Sequence, residues 1–586
     1  MIEAALPLRS LYLDDAGPGG RTVLFADPAE WIVVRDPADV SRALARIDTA
    51  VASGKWAAGS FAFELGYLLE PRLTPLFRPG PDPLIAVGIY DGPRPSPFPA
   101  PTGAAAMATP SPLWTEADYT AAFNRVRDYI AAGDVYQVNL TFPLMLPVSG
   151  DPASRLAAWR TMARARHAAL QRQDDRDIYS FSPELFVASG GGGVIRARPM
   201  KGTAPRAPDS AGEAAARAAL AADPKQRAEN LMIVDLIRND LSRIAQPASV
   251  TVTDLFTVET YPTLHTMTSG IEARMAEGVA PSDVLRALFP CGSVTGAPKV
   301  RAMEIIAELE PQPRGVYCGA LGAFGPGGRI DLNVAIRTLV HEHGSGMLRL
   351  SVGGGVVFDS RAPSEYAEGL LKARFATAEP FRILETLRWE PEAGAFFLEA
   401  HLARMAGAAD YFAAPFDRAA IEAALSGHVA AFDAPRRVRL LLDLDGGVGV
   451  ESSPLVDAFA ERPDAAPVVN LAVASGRLMD DAFTRHKTTR RAIYDAALAG
   501  AKAKGADEAI LLNAAGRVAD GSYMTIFARI GGRLVTPPRE EGALPGVLKA
   551  SMRDVAEAPL TLDDLAGAEA LFAGNSVRGL RRAVLI

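Results

Sequence analysis

At 586 residues the chain is longer than one hydrophobic core usually serves, and this bounds every other reading. At least two separately packed domains are expected. Apolar residues make up 49% and charged residues 22%, the balance of an ordinary globular protein. The formal net charge is −7, with no run of like charges, so no nucleic-acid footprint is present. Anionic ligands must then be held by local positive groups. No stretch approaches the roughly 18 apolar residues of a membrane span. The segment Met1 to Asp14 lacks the basic start and apolar run of a signal peptide. The two cysteines, Cys291 and Cys318, are too few for a disulfide framework. A cytoplasmic protein with no nucleic-acid or membrane partner is expected.

Prolines punctuate the first part at Pro79 to Pro83 and Pro93 to Pro112, the second reading as a surface linker inside a domain. Helical spacing runs from Tyr119 to Ile130. Val138 to Pro147 and Asp177 to Ala188 each read as a strand. Ala211 to Ile244 reads as one or two helices, with Leu231, Val234, Ile237 and Leu241 at helical intervals and Glu229 at the start of a stretch from Ala228. Val284 to Leu288 and Val300 to Leu309 also read as helices. Glycine-bounded strands fill Tyr317 to Val357, followed by a helix from Glu365 to Phe375. A second unit begins near Pro380, with a helix around Ala400 to Ala413 and strands at Val438 to Asp443, Val468 to Ala474 and Glu508 to Leu512. The mixture predicts a multidomain α+β protein, divided into residues 1–377 and 378–586.

Three features of the first half carry chemistry. Lys201 stands between a rigid proline and a permissive glycine in Arg198-Pro-Met-Lys-Gly-Thr203. Held in a dry site, such a lysine loses its charged form and becomes a nucleophile. Glu365, Glu368 and Lys372 share one helix face, and Glu229 adds a third carboxylate; hard oxygen ligands of this kind suit Mg²⁺. Gly353-Gly354-Gly355 follows an apolar strand, where consecutive glycines can form an anion-binding nest. Taken singly, each is also what a surface turn lysine, a solvated helix face or a tight turn looks like.

Taken together with their surroundings they are more specific. Asp223-Pro-Lys-Gln-Arg-Ala-Glu-Asn-Leu-Met-Ile-Val-Asp-Leu-Ile-Arg-Asn-Asp240, Gly292-Ser-Val-Thr-Gly-Ala-Pro-Lys-Val-Arg-Ala-Met-Glu304 and Ala335-Ile-Arg-Thr338 resemble the chorismate-utilising enzymes. That family includes anthranilate, isochorismate and salicylate synthases and aminodeoxychorismate synthase component I. The resemblance runs from about Tyr119 to Phe375, and is loose before that. It implies Mg²⁺ ligation by Glu229 and Glu368 with Glu365 beside them. It implies substrate binding by Arg337, Gly353, Gly354, Gly355, Lys372 and Thr295, and a general acid in Glu184. Lys201 points to the aminodeoxychorismate type, in which the amine attacks C2 as the C4 hydroxyl leaves and ammonia then expels it. Two positions depart from the pattern: Thr266 stands where the family often has histidine, and Ala323 where it usually has tyrosine.

In the second half, His486-Lys-Thr-Thr-Arg490, Asp507-Glu-Ala-Ile-Leu-Leu-Asn513, Gly516-Arg-Val-Ala-Asp-Gly-Ser522 and Gly542-Ala-Leu-Pro-Gly-Val547 resemble, in that order, class IV pyridoxal-phosphate enzymes. These include branched-chain and D-amino-acid aminotransferases and aminodeoxychorismate lyase. The match covers about Phe381 to Arg578. It implies pyridoxal 5'-phosphate carried by Lys487, which also acts as general base. It also implies Asp520 opposite the pyridine nitrogen, in place of the family's glutamate, and phosphate contacts from Arg404, Val547, Asn575 and Ser576. Thr525 replaces a common asparagine. A homodimer through this domain is compatible with the resemblance.

Fusion of the two halves implies a bifunctional enzyme: chorismate and ammonia to 4-amino-4-deoxychorismate, then elimination of pyruvate to 4-aminobenzoate. The rival readings are an anthranilate-type or other chorismate enzyme fused to a true aminotransferase, and a non-catalytic sensing derivative. Neither cysteine follows a glutaminase nucleophile elbow, so a separate glutamine amidotransferase subunit is expected to supply ammonia.

Overall fold

The computed structural model describes residues 7–17, 20–99, 105–207, 210–261, 264–479 and 481–586. Part of the signal-peptide reading (1–6) and the middle of the Pro-rich linker (100–104) lie outside these residues. The chain divides into two compact units, residues 1–205 with 217–379 and residues 206–216 with 380–586. The first unit is therefore not one continuous run. Arg206 leaves it because its guanidinium lies over the Tyr411 ring, 4.3 Å from the centroid, and pairs with Glu213 at 2.8 Å.

The first unit holds two large antiparallel sheets. One is organised on the pair Gln137–Gly150 and Met347–Val356, in register from Met347↔Pro147 to Val356↔Val138. It continues through Thr338–Glu342, Arg176–Ser182, His167–Arg172, Ser10–Asp14 and Thr22–Phe25. The other runs from Met200–Pro205 and Leu264–Arg274 through Leu185–Gly190, Arg329–Val334 and Ala320–Gly325 to Trp56–Phe61 and Ile85–Tyr90. One apolar cluster takes Leu11, Phe25, Ile178 and Val340 from the first sheet and Ala58, Tyr90, Leu321 and Ala323 from the second, so the sheets share a core. The N-terminal residues, loosely matched in sequence, complete both sheets.

Several sequence expectations are revised here. The single strand read at Asp177 to Ala188 is two strands in different sheets, Arg176–Ser182 and Leu185–Gly190. Pro183 cannot donate to a ladder, and the Ser182 hydroxyl takes over locally, donating to the Val334 carbonyl (2.6 Å) and accepting from the Glu184 N–H (3.1 Å). The stretch from Ala211 is two helices, Ser210–Ala222 and Pro224–Ser242. Asp223 caps the second through the N–H groups of Lys225 (2.8 Å) and Gln226 (3.1 Å), with proline at the first position. Glu229 thus lies in its second turn, not at its start. Leu231 is 44% exposed, and the buried face is Ile233, Val234, Ile237 and Leu241. The Pro-rich stretch is more than a linker, because Ala105–Met107 and Ser111–Pro112 pair with Gln137–Gly150.

The second unit has a four-stranded antiparallel sheet built on Ile383–Glu390, Arg436–Leu442 and Val448–Pro454, and an eight-stranded mixed sheet. In the mixed sheet Val469–Leu478 runs parallel to both Glu508–Asn513 and Gly579–Leu585. Leu471, Ile510, Ile526 and Ala573 form its core. Among the described residues no helix is long and apolar enough to cross a membrane.

Candidate active sites

A cavity of about 290 Å³ opens in the first unit, lined by Lys201, Glu184, Glu229, Glu365, Glu368, Lys372, Arg337 and Gly353 to Gly355. Lys201 is carried on Met200–Pro205, followed by Gly202 at φ +92°. A side chain at Gly202 would both strain the backbone and meet Gln226 Oε1 at 2.9 Å. Asn230, fully buried, holds the Lys201 main chain: its amide nitrogen donates to the Met267 carbonyl (3.3 Å) and more weakly to the Lys201 carbonyl, while its oxygen accepts from Ser269 (2.6 Å). Lys201 is half-buried, and desolvation first, then the charge of Lys372, depresses its pKa against the opposing pull of Glu184, Glu229 and Glu368.

The break between the two sheets leaves Glu184 at their joint, 3% exposed, with its Oε1 buried and unpartnered among the described residues. Burial pushes its pKa up to about 7, despite a Ser293 hydrogen bond and the nearby Lys201. Glu365, Glu368 and Lys372 share one face of the helix Ala362–Lys372. Burial raises Glu229, and the charges of Glu365 and Glu368 add to the effect. Burial likewise raises Glu365, with Glu368 contributing. Glu368, though burial opposes its charge, is held below the usual range by Lys372, 3.0 Å away. Among the described residues no three such ligands converge into a preformed metal cluster.

Gly353 to Gly355 do not form the expected nest. They lie within the strand Met347–Val356, opposite Thr141, Leu140 and Asn139, and none has the positive φ a nest needs. Glycine is required there for close approach. A Cβ on Gly353 would meet the Leu140 carbonyl at 2.3 Å, and one on Gly354 would meet Glu365 Oε2 at 3.3 Å. The neighbouring strand stops pairing at Leu350, which leaves the Gly353 carbonyl to accept from Lys372 at 2.9 Å. Arg337, in left-handed backbone at φ +50°, has no hydrogen-bond or ion-pair partner for its guanidinium among the described residues. Burial lowers its pKa.

Thr295 is not brought to the cavity. Its hydroxyl donates to the Cys291 and Gly292 carbonyls, both at 3.2 Å, and closes a loop. Thr266 does line the cavity, its hydroxyl donating to the Gly202 carbonyl (3.1 Å). His265 is absent from the lining and bonds to Thr260. Ala323 sits in the core between the sheets, so the departure there removes no cavity contact in this structure. Cys291 and Cys318 are buried, with pKa values pushed up by burial to about 12. A thiol so reluctant to ionise is a poor nucleophile.

A second cavity, of about 530 Å³, contains all six second-half candidates: Lys487, Asp520, Arg404, Val547, Asn575 and Ser576. The Lys487 carbonyl accepts from the Leu384 N–H (2.9 Å), and Thr488 bridges to Ile383. Burial, then Arg404 and Arg491, push the Lys487 amine down to about 7. Asp520 accepts from the N–H groups of Gly521 (2.9 Å) and Leu544 (3.1 Å), yet burial lifts it to about 7. Arg404 donates to both oxygens of buried Glu385 (2.7 and 2.6 Å) and to the Pro545 carbonyl, leaving one N–H free on each terminal nitrogen. Although burial opposes its charge, Glu385 is held at about 2 by Arg404 and His401. Asn575 is engaged in its own turn, accepting from Val577 and Arg578 and donating to the Tyr523 carbonyl. Ser576 makes no side-chain hydrogen bond within the described residues and faces the cavity. A Cβ on Gly546 would come within 2.8 Å of the Thr525 hydroxyl, so Thr525 and Gly546 together shape a cradle. Arg437, Arg439 and Arg491 also line the space and were not singled out from sequence; the signal for the first two is the Arg-Arg-Val-Arg alternation of one strand face, while Arg491 precedes the helix Ala492–Ala503.

Two half-buried lysines with lowered pKa values, each in its own polar cavity, define a two-site enzyme. The chain belongs to the chorismate binding enzyme family, which it matches over residues 10–378; residues 382–586 match class IV amino-transferases. The second match implies pyridoxal phosphate. The chain is similar to aminodeoxychorismate synthase component 1 of Klebsiella aerogenes, 45% identical over 251 residues, 43% of this chain and 55% of that protein. It is also similar to anthranilate synthase component 1 of Streptomyces coelicolor, 42% identical over 263 residues, 44% of this chain and 50% of that protein. It thus spans about half the length of these relatives. The crystal structure of anthranilate synthase component I from Streptococcus pneumoniae matches with a TM-score of 0.53 and 24% identity, covering 62% of this chain and 93% of that one, which is a likeness of fold.

Proposed function

We propose that the chain makes 4-aminobenzoate from chorismate and ammonia, aminating chorismate in the first unit and eliminating pyruvate in the second. The observation that carries this reading is Lys201: a half-buried lysine with depressed pKa, in one cavity with the unpartnered Arg337 guanidinium and four glutamates. Arg337 and Lys372 bind the substrate carboxylates. Lys201, uncharged, attacks C2 while Glu184 protonates the departing C4 hydroxyl; ammonia then displaces the lysine. Glu229, Glu365 and Glu368 are hard oxygen donors whose mutual repulsion a divalent cation relieves, and Mg²⁺ bound there would neutralise a substrate carboxylate. A separate glutamine amidotransferase delivers the ammonia, in keeping with "component 1" in the relative's name.

In the second unit the cradle at Gly546, the free Ser576 hydroxyl and the remaining Arg404 donors fit a phosphate, and Asp520 fits a protonated ring nitrogen. Pyridoxal phosphate supplies there an electron sink that lowers the cost of removing a proton beside the substrate nitrogen. Lys487, with its amine near 7, takes that proton. The lining favours elimination from a dicarboxylate over transamination of an aliphatic amino acid. Arg437, Arg439, Arg490, Lys502 and Arg578 add to Arg404 and Arg491, against only Asp495 and Asp520. The unit assembles as a homodimer. The deciding assay combines the purified chain with chorismate, Mg²⁺, ammonium and pyridoxal phosphate and separates the products. Anthranilate, or an aliphatic amino acid made from its keto acid with no 4-aminobenzoate, would reject the reading.

Glu184 gives the amination step a pH signature. As an acid it must hold its proton, and with a pKa of about 7 it does so below that pH. Chorismate consumption at saturating ammonia is expected to fall as pH rises through about 7. Glu184→Gln, which cannot ionise, should flatten that limb and slow the step by about 10²- to 10⁴-fold. An unchanged pH–rate profile would remove Glu184 from the role.

A further inference from the structure

Residues 206–216 lie within the first half of the sequence, yet they pack as part of the second unit. Neither family accounts for this, since the chorismate-binding match covers 10–378 and the class IV match begins only at 382. The segment is latched by Glu213, whose carboxylate accepts from Arg206 Nε and from the Ala207 N–H, each at 2.8 Å. The charged Arg206 side chain is only 6% exposed, which is costly unless the guanidinium is well paired. Besides Glu213, it engages Tyr411 twice. It lies over the ring, 4.3 Å from the centroid, and donates to the Tyr411 carbonyl.

Tyr411 joins two elements of the second cavity. It is the last residue of the helix Leu398–Tyr411, whose final carbonyls lack N–H partners within the helix and attract a cation. Arg404, which lines the cavity, lies about two turns earlier on that helix. The Tyr411 ring also stacks on the His486 imidazole, with centroids 4.3 Å and planes 27° apart. His486 lines the cavity and immediately precedes Lys487. The Lys487 main chain is held on one side by the Leu384 N–H, and on the other its neighbour's ring rests on Tyr411. We infer that Arg206 is a positioning residue for the second site, holding the Arg404 helix and the Lys487 segment in the arrangement that binds a phosphate-bearing cofactor. It does not line the cavity itself. The inference rests on Lys487 and Arg404 holding pyridoxal phosphate, and is the same whether the second reaction is elimination or transamination. Without the guanidinium the helix end loses its cation, the Tyr411 ring can turn, and His486 loses a fixed stacking surface. The first site should be untouched, because the Lys201 strand is held by its pairing with Leu264–Arg274.

The test compares the full-length wild type with Arg206→Met, which keeps the stem and removes the charge. Each is titrated with pyridoxal phosphate, followed by the absorbance and visible circular dichroism of the bound cofactor, and assayed separately for chorismate amination. In Arg206→Met the Kd for pyridoxal phosphate should rise about tenfold, the scale of one cation at a helix C-terminus together with one cation–π contact. The dichroic band at saturation should weaken, and amination should stay at about the wild-type rate. Arg206→Lys, which keeps a cation over the ring, should recover most of the affinity. Should Arg206→Met fail to fold, Tyr411→Leu removes the ring but leaves the Arg206–Glu213 pair, and the same weakening is expected. An unchanged Kd and dichroic band in a folded variant would overturn the inference. An equal loss of amination would overturn it too, since Arg206 would then be serving the fold as a whole. A wild type that binds no pyridoxal phosphate would remove the reading of Lys487 and Arg404, and this inference with it.

Discussion

Lys201→Ala is expected to abolish the covalent adduct with chorismate and to lower its turnover with ammonia by about 10²- to 10³-fold, the scale of deleting one group that acts in the transition state. The adduct is the sharper readout: Lys225 and Lys372 also line the cavity, but Lys372 is held by Glu368 at 3.0 Å and the Gly353 carbonyl at 2.9 Å, and mapping the adduct separates the three lysines. Unfolding would not explain the loss. Burial holds the Lys201 pKa below its usual value of 10.5. The unfolded chain therefore binds that proton more tightly, and the lysine destabilises the fold. That penalty is full below the folded pKa and vanishes as pH rises to the unfolded value. At pH 7.5 the alanine variant should melt at the wild-type temperature or above it. Unchanged turnover at saturating ammonia, in a folded variant with no adduct, would end the nucleophile assignment.

What was legible in the sequence was residue identity; what was not was the backbone path that aims each residue. Ser182-Pro-Glu184 marked a candidate acid. That the proline moves the chain from one sheet to the other, leaving Glu184 at the joint, depends on pairing with Arg329–Val334, more than 140 residues away. Glu365, Glu368 and Lys372 were legible because helical spacing is local. The glycine triplet was read as an anion nest, yet its purpose is steric: it admits Leu140, Glu365 and Lys201, none of them a sequence neighbour. Thr295 and Asn575 stand in matching motifs, but their side chains are engaged by their own loops.

Lys487→Ala should abolish the bound-cofactor absorbance and stop pyruvate release, while chorismate is still consumed and the aminated intermediate accumulates. Lys502 also lines the second cavity, but only Lys487 combines the resembling motif with a backbone tied to Ile383 and Leu384 and an amine held near 7. The mirror variant, Glu229→Ala with Glu368→Ala, should lose Mg²⁺-dependent amination. It should still convert supplied 4-amino-4-deoxychorismate to 4-aminobenzoate, since those carboxylates belong to a different core. Glu368→Ala also gives up the ion pair with Lys372 at 3.0 Å, so the retained lyase half-reaction and an unchanged melting curve are the controls that assign loss of amination to the missing ligands. Separable half-reactions follow from two complete sites with separate linings, and product chromatography on the two variants reads them directly. Wild-type output of 4-aminobenzoate from Lys487→Ala, in a preparation free of other lyases, would mean that the second cavity serves some other reaction.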